Sequence, residues 1–578
     1  MPAKPSGEVK TRIVRNTQPN GDIYVLERKT KYDPEKKWNA VLSTRLLKKI
    51  PKGTETPVST RPKKQDKESP GAITAVREHV GMMEIIDHIG AASGIDGGIY
   101  GNTDLGTAQK IISLARYLLA TNGQSLPGIL TWQFNHPLPY VDGLSEDIYH
   151  DLFESVGRDE SLQQNFFASR CESIKGKAVL AYDSSTISTY SERQIEARYG
   201  FNKAADGLKT IKVLTLYSIE TRQPVAFTKQ PGNLPDVITI ENALAQLSAL
   251  GMGDAEIVTD NGYYSEHNLS ELFLSHFDFI TLVKTGIKWV KVEIDRNQGA
   301  FGSVSSACPF DTQTHGITIM LMREFTKVRK YANFKTGAQK GDEEVFRRRV
   351  YLHIYFSPKR KADDDASFDN NLIELRKTIE EGTALTELSD SARGRAEKYL
   401  TIRNRGTSVN VTFNESACDD AKKYHGYFAL VSNCEKDPFE CLRKYRKREL
   451  IESFFESMKQ HADGERVRVW DTDTLRGRMF VQFVSLCYYE YLSEEIRKLK
   501  ESLAKPNGDP KHDSKANLDL EKKLKTWLKN TPLYLMLQWF DTVESVKVSN
   551  NLRQMRWSTE VTARDRMLLE KLGVTLPQ

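Results

Sequence analysis

The sequence predicts an α/β protein: a sheet with helices against it, a strand-rich insertion, helical regions on either side, and a basic β-hairpin at the start. Three observations predict this class. Apolar strand-like runs alternate with amphipathic stretches in residues 177–285, as in sheets covered by helices. A second group of strand-like runs follows in residues 286–440. Lysine and arginine are concentrated in the first seventy residues.

The chain of 578 residues and 65.7 kDa is too long for one compact core, so several domains are expected. Hydrophobic residues make up 39% and charged residues 28%, which is ordinary for a globular protein. No stretch approaches the ~18 apolar residues of a membrane span, and the polar start does not resemble a secretory signal. The predicted segments are 1–70, 71–176, 177–285, 286–440, 441–505 and 506–578.

Six cysteines are scattered along the chain and form no C-x-x-C pair. This spacing argues against a zinc module and against a disulfide framework. It agrees with a reducing cytoplasm, which is the location that we expect.

The charge is unevenly distributed along the chain. Residues 1–69 hold 17 lysines and arginines against 8 acidic residues, whereas the other 509 residues hold 66 against 69. Such asymmetry is typical of a nucleic-acid-binding arm. A solvated tail without a partner would have the same composition.

Two strand-like runs, 22–26 and 38–42, flank a turn signal at residues 32–37 and predict a basic β-hairpin. Residues 51–70 are rich in proline and lysine and predict a linker. The hairpin is our candidate for binding DNA phosphates. Its candidate residues are Arg28, Lys29, Lys31, Lys36 and Lys37, extended by Arg45, Lys48 and Lys49.

Residues 71–170 are predicted to be mostly helical, with helices over 107–120 and 145–173. The glycine-rich run 94–98 lacks the Lys-Ser/Thr of a phosphate-binding loop, so it is interpreted as a connecting loop.

The predicted core then follows the order β, β, β, α, β, α, β. A short apolar strand ends at Asp183, and another ends at Asp260. The predicted elements are strands 177–182, 210–218, 223–228, 255–259 and 278–284, with helices 236–250 and 266–275.

The remaining elements are predicted from similar patterns. Strands are expected at 317–323, 345–356 and 427–431, around a charged helical portion at 371–399. Helices are expected at 445–459 and 474–503, followed by a linker at 505–514 and a helical tail. The run 363–365 consists of three aspartates and is interpreted as a surface loop rather than a metal site.

Asp183 and Asp260 stand where two core strands are predicted to end. In open α/β sheets, active sites collect at the carboxyl ends of the strands. Two carboxylates that lie close together require a cation, and oxygen ligands without His or Cys suit Mg²⁺ or Mn²⁺. For either aspartate alone, a turn residue at the end of a strand is the better interpretation, whereas the pair on adjacent strands favours a site.

The predicted helix 445–459 presents a polar face opposite its apolar one. At about 100° per residue, Arg448, Glu452 and Lys459 all fall within ~60° of Tyr445. An ordinary solvated face with salt bridges would look the same. Glu449 and Glu456 share this face, so geometry alone does not select one glutamate.

The spacing Y-x2-R-x3-E-x6-K of these four residues resembles the signature of the cut-and-paste bacterial insertion-sequence transposases of the Asp-Asp-Glu class. The segments 182–186 and 259–263 resemble the first two motifs of that family. Segments 425–430, 466–469 and 477–483 also resemble it.

The resemblance implies a ribonuclease-H-like catalytic core that is interrupted by a strand-rich insertion. It implies that Asp183, Asp260 and Glu452 bind two divalent ions, Mg²⁺ with Mn²⁺ as a substitute, and so it favours Glu452 over its neighbours. Tyr445, Arg448 and Lys459 would contact phosphates and nucleotides near the cleaved end. Trp289 could stack on an extruded base, although a packed core position fits it better.

The function implied by this resemblance is DNA transposition by a homodimer in the bacterial cytoplasm, associated with the nucleoid. The protein would bind inverted-repeat ends, cleave phosphodiesters by two-metal hydrolysis and join the freed 3′-hydroxyl groups to target DNA. No small-molecule cofactor is expected. Two alternatives are a nuclease of the same fold without strand transfer and a non-catalytic DNA-binding protein derived from a transposase.

Overall fold

The structure of the chain is a computed structural model. Most of the predicted linkers, and residues 34–37 with Lys36 and Lys37, lie outside the residues that it describes. The described residues are 9–33, 38–52, 74–174, 178–200, 202, 206–329, 339–405, 408–461, 466–467, 469, 470–504, 515–549, 554–559 and 561–576.

The N-terminal segment contains a three-stranded antiparallel sheet in the order β1-β2-β3. The hairpin interpretation corresponds to its second and third strands, and a further strand pairs at the edge. One face carries Leu26, which is 1% exposed and lies against the protein. The strands are β1 (Lys10–Thr17), β2 (Ile23–Asp33) and β3 (Trp38–Ile50).

A helical region follows after one short strand. The expectation of a loop at residues 94–98 is wrong, because a short helix begins there. Gly94 has φ +72°, and a Cβ on Gly98 would lie 2.7 Å from the Ser169 hydroxyl, so these glycines allow close packing against a neighbouring helix. The elements are β4 (Thr74–His79), α1 (Gly81–Ala92), α2 (Ile95–Tyr100), α3 (Leu105–Ala120), α4 (Ile129–Trp132), α5 (Glu146–Arg158) and α6 (Glu160–Glu172).

The central sheet begins with the predicted order of strands and helices, which is confirmed. The first three strands are antiparallel neighbours, and the next two run parallel to the first. The elements are β5 (Val179–Thr189), β6 (Lys209–Ser218), β7 (Gln223–Pro231), α7 (Ile240–Ala249), β8 (Glu256–Thr259), α8 (Glu266–Leu274) and β9 (Asp278–Val283).

The insertion extends this sheet. Its last strand pairs antiparallel with β9, so the order becomes β10-β11-β12-β15-β9-β8-β5-β6-β7. The expectation of a surface loop at residues 363–365 is wrong: the aspartates lie in a helix, where Arg360 and Lys361 pair with acids four residues later. The elements are α9 (Lys288–Asn297), β10 (Ala307–Cys308), β11 (Asp311–Val328), β12 (Glu343–Phe356), α10 (Pro358–Glu380), α11 (Asp390–Tyr399), β13 (Leu400–Arg405), β14 (Ser408–Phe413), α12 (Glu415–Lys422) and β15 (Tyr427–Ser432).

The helix expected over 445–459 is in fact two helices with a break at residues 447–448. The long helix expected over 474–503 is present and packs on α5. At that crossing, a Cβ on Gly477 would collide with the Phe153 carbonyl oxygen, and one on Gly157 with the Asp473 carbonyl oxygen. The elements are α13 (Pro438–Arg446), α14 (Glu449–His461), β16 (Arg466–Val467) and α15 (Thr472–Ala504).

The C-terminal region is only partly the helical tail that was expected. It also contains a β-hairpin, whose first strand pairs antiparallel with β4 near the start of the chain. This pairing joins segments more than 450 residues apart, which no local pattern could predict. The elements are α16 (Lys515–Asn530), α17 (Leu533–Asp541), β17 (Glu544–Ser549), β18 (Gln554–Ser558) and α18 (Ala563–Leu572).

One continuous apolar core joins the helical region, the central sheet and the C-terminal helices. A second, small core lies within the insertion, between α10, α11 and the β13–β14 hairpin. Within the described residues, no helix combines the length and the apolar character needed to cross a bilayer.

Candidate active site

Asp183 lies on β5, and Asp260 directly follows β8, which runs parallel to β5. The register pairs Ala181 with Val258, so continuing it by two residues sets Asp183 opposite Asp260. The sequence expectation differs from the structure in one respect, because β5 does not end at Asp183 but continues to Thr189 along β6. Asp183 therefore lies at the point where the parallel neighbour of β5 ends.

The backbone after β8 turns sharply at Asp260. One oxygen of its side chain accepts a hydrogen bond from the Gly262 amide at 2.7 Å, which fixes the carboxylate over the turn. Tyr263 is buried beneath this turn and packs on Tyr182, with ring centroids 5.1 Å apart. The residue before Asp183 thus packs on the turn that holds Asp260.

The third part of the site comes from the break between α13 and α14. Here the cations of the segment turn toward separate carboxylates: Lys444 contacts Glu256 at 2.8 Å, and Arg446 contacts Asp311 at 2.6 Å. Lys444 and Arg446 lie two residues apart on α13, so the helix directs them about 200° apart around its axis. Arg448 lies in the break itself and contacts Asp183 on β5.

The Arg448 guanidinium joins two of the predicted catalytic carboxylates. It donates to Asp183 Oδ2 at 2.7 Å and to Glu452 Oε1 at 2.6 Å. Its side chain is 11% exposed. Burial lowers the pKa of Arg448, but the attraction of Asp183 and Glu452 outweighs it and raises that pKa above its ordinary value.

Tyr445 lies beside this group at the end of α13. The Arg448 guanidinium sits 5.8 Å from the centre of its ring. Burial raises the pKa of Tyr445, Arg448 lowers it, and Asp260 raises it further, so the phenol is neutral at physiological pH.

Lys459 lies two turns after Glu452 on α14, on the same side of the helix. It forms no ion pair with another described residue.

A fourth carboxylate, Asp236, was missed by the sequence analysis. It stands in a short 3-10 turn after β7 and accepts hydrogen bonds from Ser184 Oγ at 2.8 Å and Lys212 Nζ at 2.6 Å. A Cβ on Gly262 would lie 3.1 Å from Asp260 Oδ1 and 3.7 Å from Asp236 Oδ2. The sequence predicted Asp236 as the first residue of a helix. Its place beside the site is shown by the hydrogen bond from Ser184, the residue after Asp183.

The described residues contain two groups of His, Asp or Glu whose ligand atoms lie within 4.8 Å of one another: His79–His136–Asp541 and Glu241–His267–Glu271. Asp183, Asp260 and Glu452 are not among them, since Arg448 stands between the first and the last. In the first group, the Nδ1 atoms of both histidines are hydrogen-bonded to backbone carbonyl oxygens, those of Asp541 and Trp132. These contacts fit a structural role, in which the histidines join the helical region to the end of α17.

The N-terminal sheet carries most of the other predicted DNA-binding residues. Lys29, Arg45 and Lys48 are exposed, and their register places them on one face with Arg15. Arg28 lies on the opposite face, beside Leu26. Lys31 is also exposed, and Lys49 pairs with Asp22 at 3.2 Å.

Trp289 packs under the guanidinium of Arg323, which lies 4.1 Å from the centre of its ring. The indole also lies against the main apolar core. This position agrees with the packed role that the sequence favoured for it.

Comparison with known proteins identifies the family. The family model for the transposase DDE domain matches residues 174–488, which is more than half of the chain and includes Asp183, Asp260 and Glu452. The cryo-EM structure of the piggyBac transposase synaptic complex with hairpin DNA is similar at 10% identity and a TM-score of 0.35, over 80% of this chain and 78% of that chain. No curated protein sequence matches the chain. The chain belongs to the family of transposases with a DDE domain.

Proposed function

We propose that the chain is a cut-and-paste insertion-sequence transposase in which Asp183, Asp260 and Glu452 are the catalytic carboxylates. The observation that carries the proposal is the grouping of Asp183, Glu452 and Arg448, with Asp260 directly after β8, the parallel neighbour of β5. Three antiparallel strands followed by two parallel ones support a ribonuclease-H-like core.

The three side chains offer carboxylate oxygens without histidine or cysteine, a donor set that suits Mg²⁺ or Mn²⁺. A buried guanidinium between two of them is evidence that this cluster requires positive charge. Asp183, Asp260 and Glu452 would hold the ions. Divalent ions at such a site supply a nucleophile at neutral pH and stabilise the leaving oxygen of a phosphodiester.

The cations of the site would hold the DNA strand. Arg448 has a planar, bidentate donor group that matches a phosphate, and Lys459 adds a point charge two turns away. Tyr445, as a neutral phenol, can donate one hydrogen bond to a phosphate oxygen without adding charge. Together these residues would orient the scissile phosphate against the carboxylates.

Recognition of the transposon ends is assigned to the N-terminal sheet. Its face with Arg15, Lys29, Lys31, Arg45 and Lys48 carries five cations, and Glu27 lies among them. This charge supports binding to the backbone of an inverted repeat. A homodimer would bring two ends together, and the reaction would take place on the DNA of a bacterial cell.

The test uses labelled element ends with Mg²⁺ and the full chain. Glu452→Gln should reduce cleavage by more than about a hundredfold, because a neutral amide removes a charged metal ligand. Asp183→Asn and Asp260→Asn should do the same, while DNA binding persists. Glu456→Gln is the matched control on the same helix and should cleave normally.

The outcomes separate the alternatives. Cleavage followed by joining of the 3′-hydroxyl to a second DNA supports transposition, whereas cleavage without joining supports a nuclease. A mobility shift without cleavage supports a DNA-binding protein that lacks chemistry. Loss of cleavage in Glu456→Gln but not in Glu452→Gln would overturn the assignment of the third carboxylate.

A further inference from the structure

A groove of about 700 Å³ lies in the C-terminal region, between α16, the end of α17 and the start of α18. Among the described residues, its lining contains three cations and two indoles but no carboxylate. The lining residues that matter are Lys522, Lys523, Trp527, Asn530, Trp539 and Arg564.

The arginine of the groove is held in place before any ligand arrives. Its guanidinium lies 4.1 Å from the ring centre of Trp527 and 5.1 Å from that of Trp539. Asp565, which is buried, pairs with Arg564 at 2.5 Å and accepts a hydrogen bond from the Trp539 indole at 3.0 Å. An arginine fixed in this way loses little side-chain entropy when it binds an anion.

The two lysines supply charge that no acidic side chain among the described residues pairs with. Lys522 and Lys523 are exposed and form no ion pair with another described residue. Their helix, α16, carries five lysines against Asp519 and Glu521. Trp539 is 44% exposed, although an indole ordinarily is largely covered.

We propose that this groove binds a stretch of unpaired DNA strand. Lys522, Lys523 and Arg564 would contact its phosphates, and the exposed part of Trp539 would stack on a base. Cationic walls with interleaved aromatic rings are the recurring chemistry of single-strand binding, and a base can present its face only when it is unpaired. This inference rests on the proposed function only in naming DNA as the nucleic acid. The groove does not include the proposed catalytic carboxylates.

The experiment measures the binding of the full chain to a fluorescein-labelled 20-nucleotide dT strand by anisotropy, in EDTA and over a range of salt. The double variant Lys522→Ala/Lys523→Ala should bind at least about fivefold more weakly, and the salt slope should fall by about 1.4. Lys525→Ala/Lys529→Ala is the matched control, since it removes the same charge from the same helix outside the groove. It should bind as the parent does.

A second pair of variants tests stacking. Trp539→Leu should weaken binding of the dT strand about tenfold and reduce the quenching of tryptophan fluorescence by DNA. Trp557→Leu replaces another indole, 45% exposed on β18, and should leave binding unchanged.

Equal losses in the groove and control pairs would overturn the proposal. So would groove variants that alter the oligomeric state in light scattering while leaving binding of the dT strand intact, since the groove would then join two copies of the chain. Binding of an acidic peptide that survives competition by dT would overturn it as well. The Asp183→Asn variant should bind the dT strand normally. The catalytic proposal fails if cleavage is retained in that variant, whereas the groove proposal fails if binding of dT is retained in the groove variants.

Discussion

At the scale of single residues, Arg448 links two of the proposed catalytic carboxylates. It connects Asp183 on β5 with Glu452 on α14, which is 269 residues later in the chain. Removing one partner of a buried charge pair is costly because the remaining charge stays uncompensated. The same guanidinium that organises the carboxylates is, under the proposed function, also the group that meets the phosphate.

Glu490 provides a residue-scale prediction about pH. Burial raises the pKa of this α15 carboxyl to about 7, with the Tyr217 hydroxyl 2.9 Å away and Arg222 acting in the opposite direction. Its contribution to stability is complete below pH 4.5 and is lost as the pH rises through 7. Glu490→Gln removes this pH dependence. The free energy of unfolding of the variant minus that of the parent should therefore be greater at pH 8 than at pH 4, by up to about 3 kcal/mol.

The measurement is chemical denaturation of both proteins between pH 4 and pH 8. Glu501→Gln, on the exposed end of the same helix, is the control and should show a difference that does not change in this way. A difference between Glu490→Gln and the parent that stays flat with pH would contradict the assignment.

Residue spacing alone could predict part of the site. Asp183 and Asp260 follow recognisable apolar runs, and the spacing from Tyr445 to Lys459 is a sequence pattern. Asp236 could not be found in this way, because its place depends on Ser184 and Lys212 from other strands. The sequence also left Glu449 and Glu456 as rivals of Glu452, whereas in the structure Arg448 pairs with Glu452.

At the scale of elements, local periodicity predicted the strands and helices of residues 177–285 closely. It failed where distant segments decide the conformation. Around the break between α13 and α14, three cations contact carboxylates from β5, β8 and β11, which lie far away in the chain. The pairing of β17 with β4 depends likewise on a segment far away in the chain.

The crossing of α5 and α15 gives an element-scale prediction. Gly477→Ala should destabilise the protein by about 1–3 kcal/mol, because its Cβ would meet the Phe153 carbonyl oxygen on a rigid helix. Gly394→Ala is the same substitution in α11 with nothing within 4 Å, and it should stabilise by up to about 1 kcal/mol. In thermal unfolding, the Tm should fall for Gly477→Ala and rise for Gly394→Ala. Equal changes in Tm would mean that α5 and α15 do not pack closely at Gly477.

At the scale of the whole molecule, one sheet runs from the end of β7 through the core to the insertion, and the C-terminal hairpin returns to β4. Composition predicted several domains and a basic start but not this continuity. Edge pairing such as β15 on β9 joins residues about 150 apart, and no alternation of apolar residues specifies such a partner.

The charge asymmetry leads to a prediction at this scale. The triple variant Lys29→Ala/Arg45→Ala/Lys48→Ala should bind duplex end DNA more weakly, and the slope of log affinity against log salt should fall by about 2–3. Replacing Lys359, Lys377 and Lys398 by alanine removes three exposed charges from helices of the insertion and should leave the slope unchanged. If both triples lower the slope equally, the N-terminal sheet is not the arm that holds DNA.

The chain order of the site also has a consequence in time. Asp183 and Asp260 leave the ribosome early, but Arg448 and Glu452 follow only after the whole insertion has been made. At about 5–20 residues per second, the interval between Asp260 and Glu452 lasts roughly 10–40 seconds. During that interval the basic N-terminal segment has already been synthesised, whereas Arg448 and Glu452 have not. Under the proposed function, a growing chain would carry its DNA-binding sheet before Arg448 joins Asp183 to Glu452.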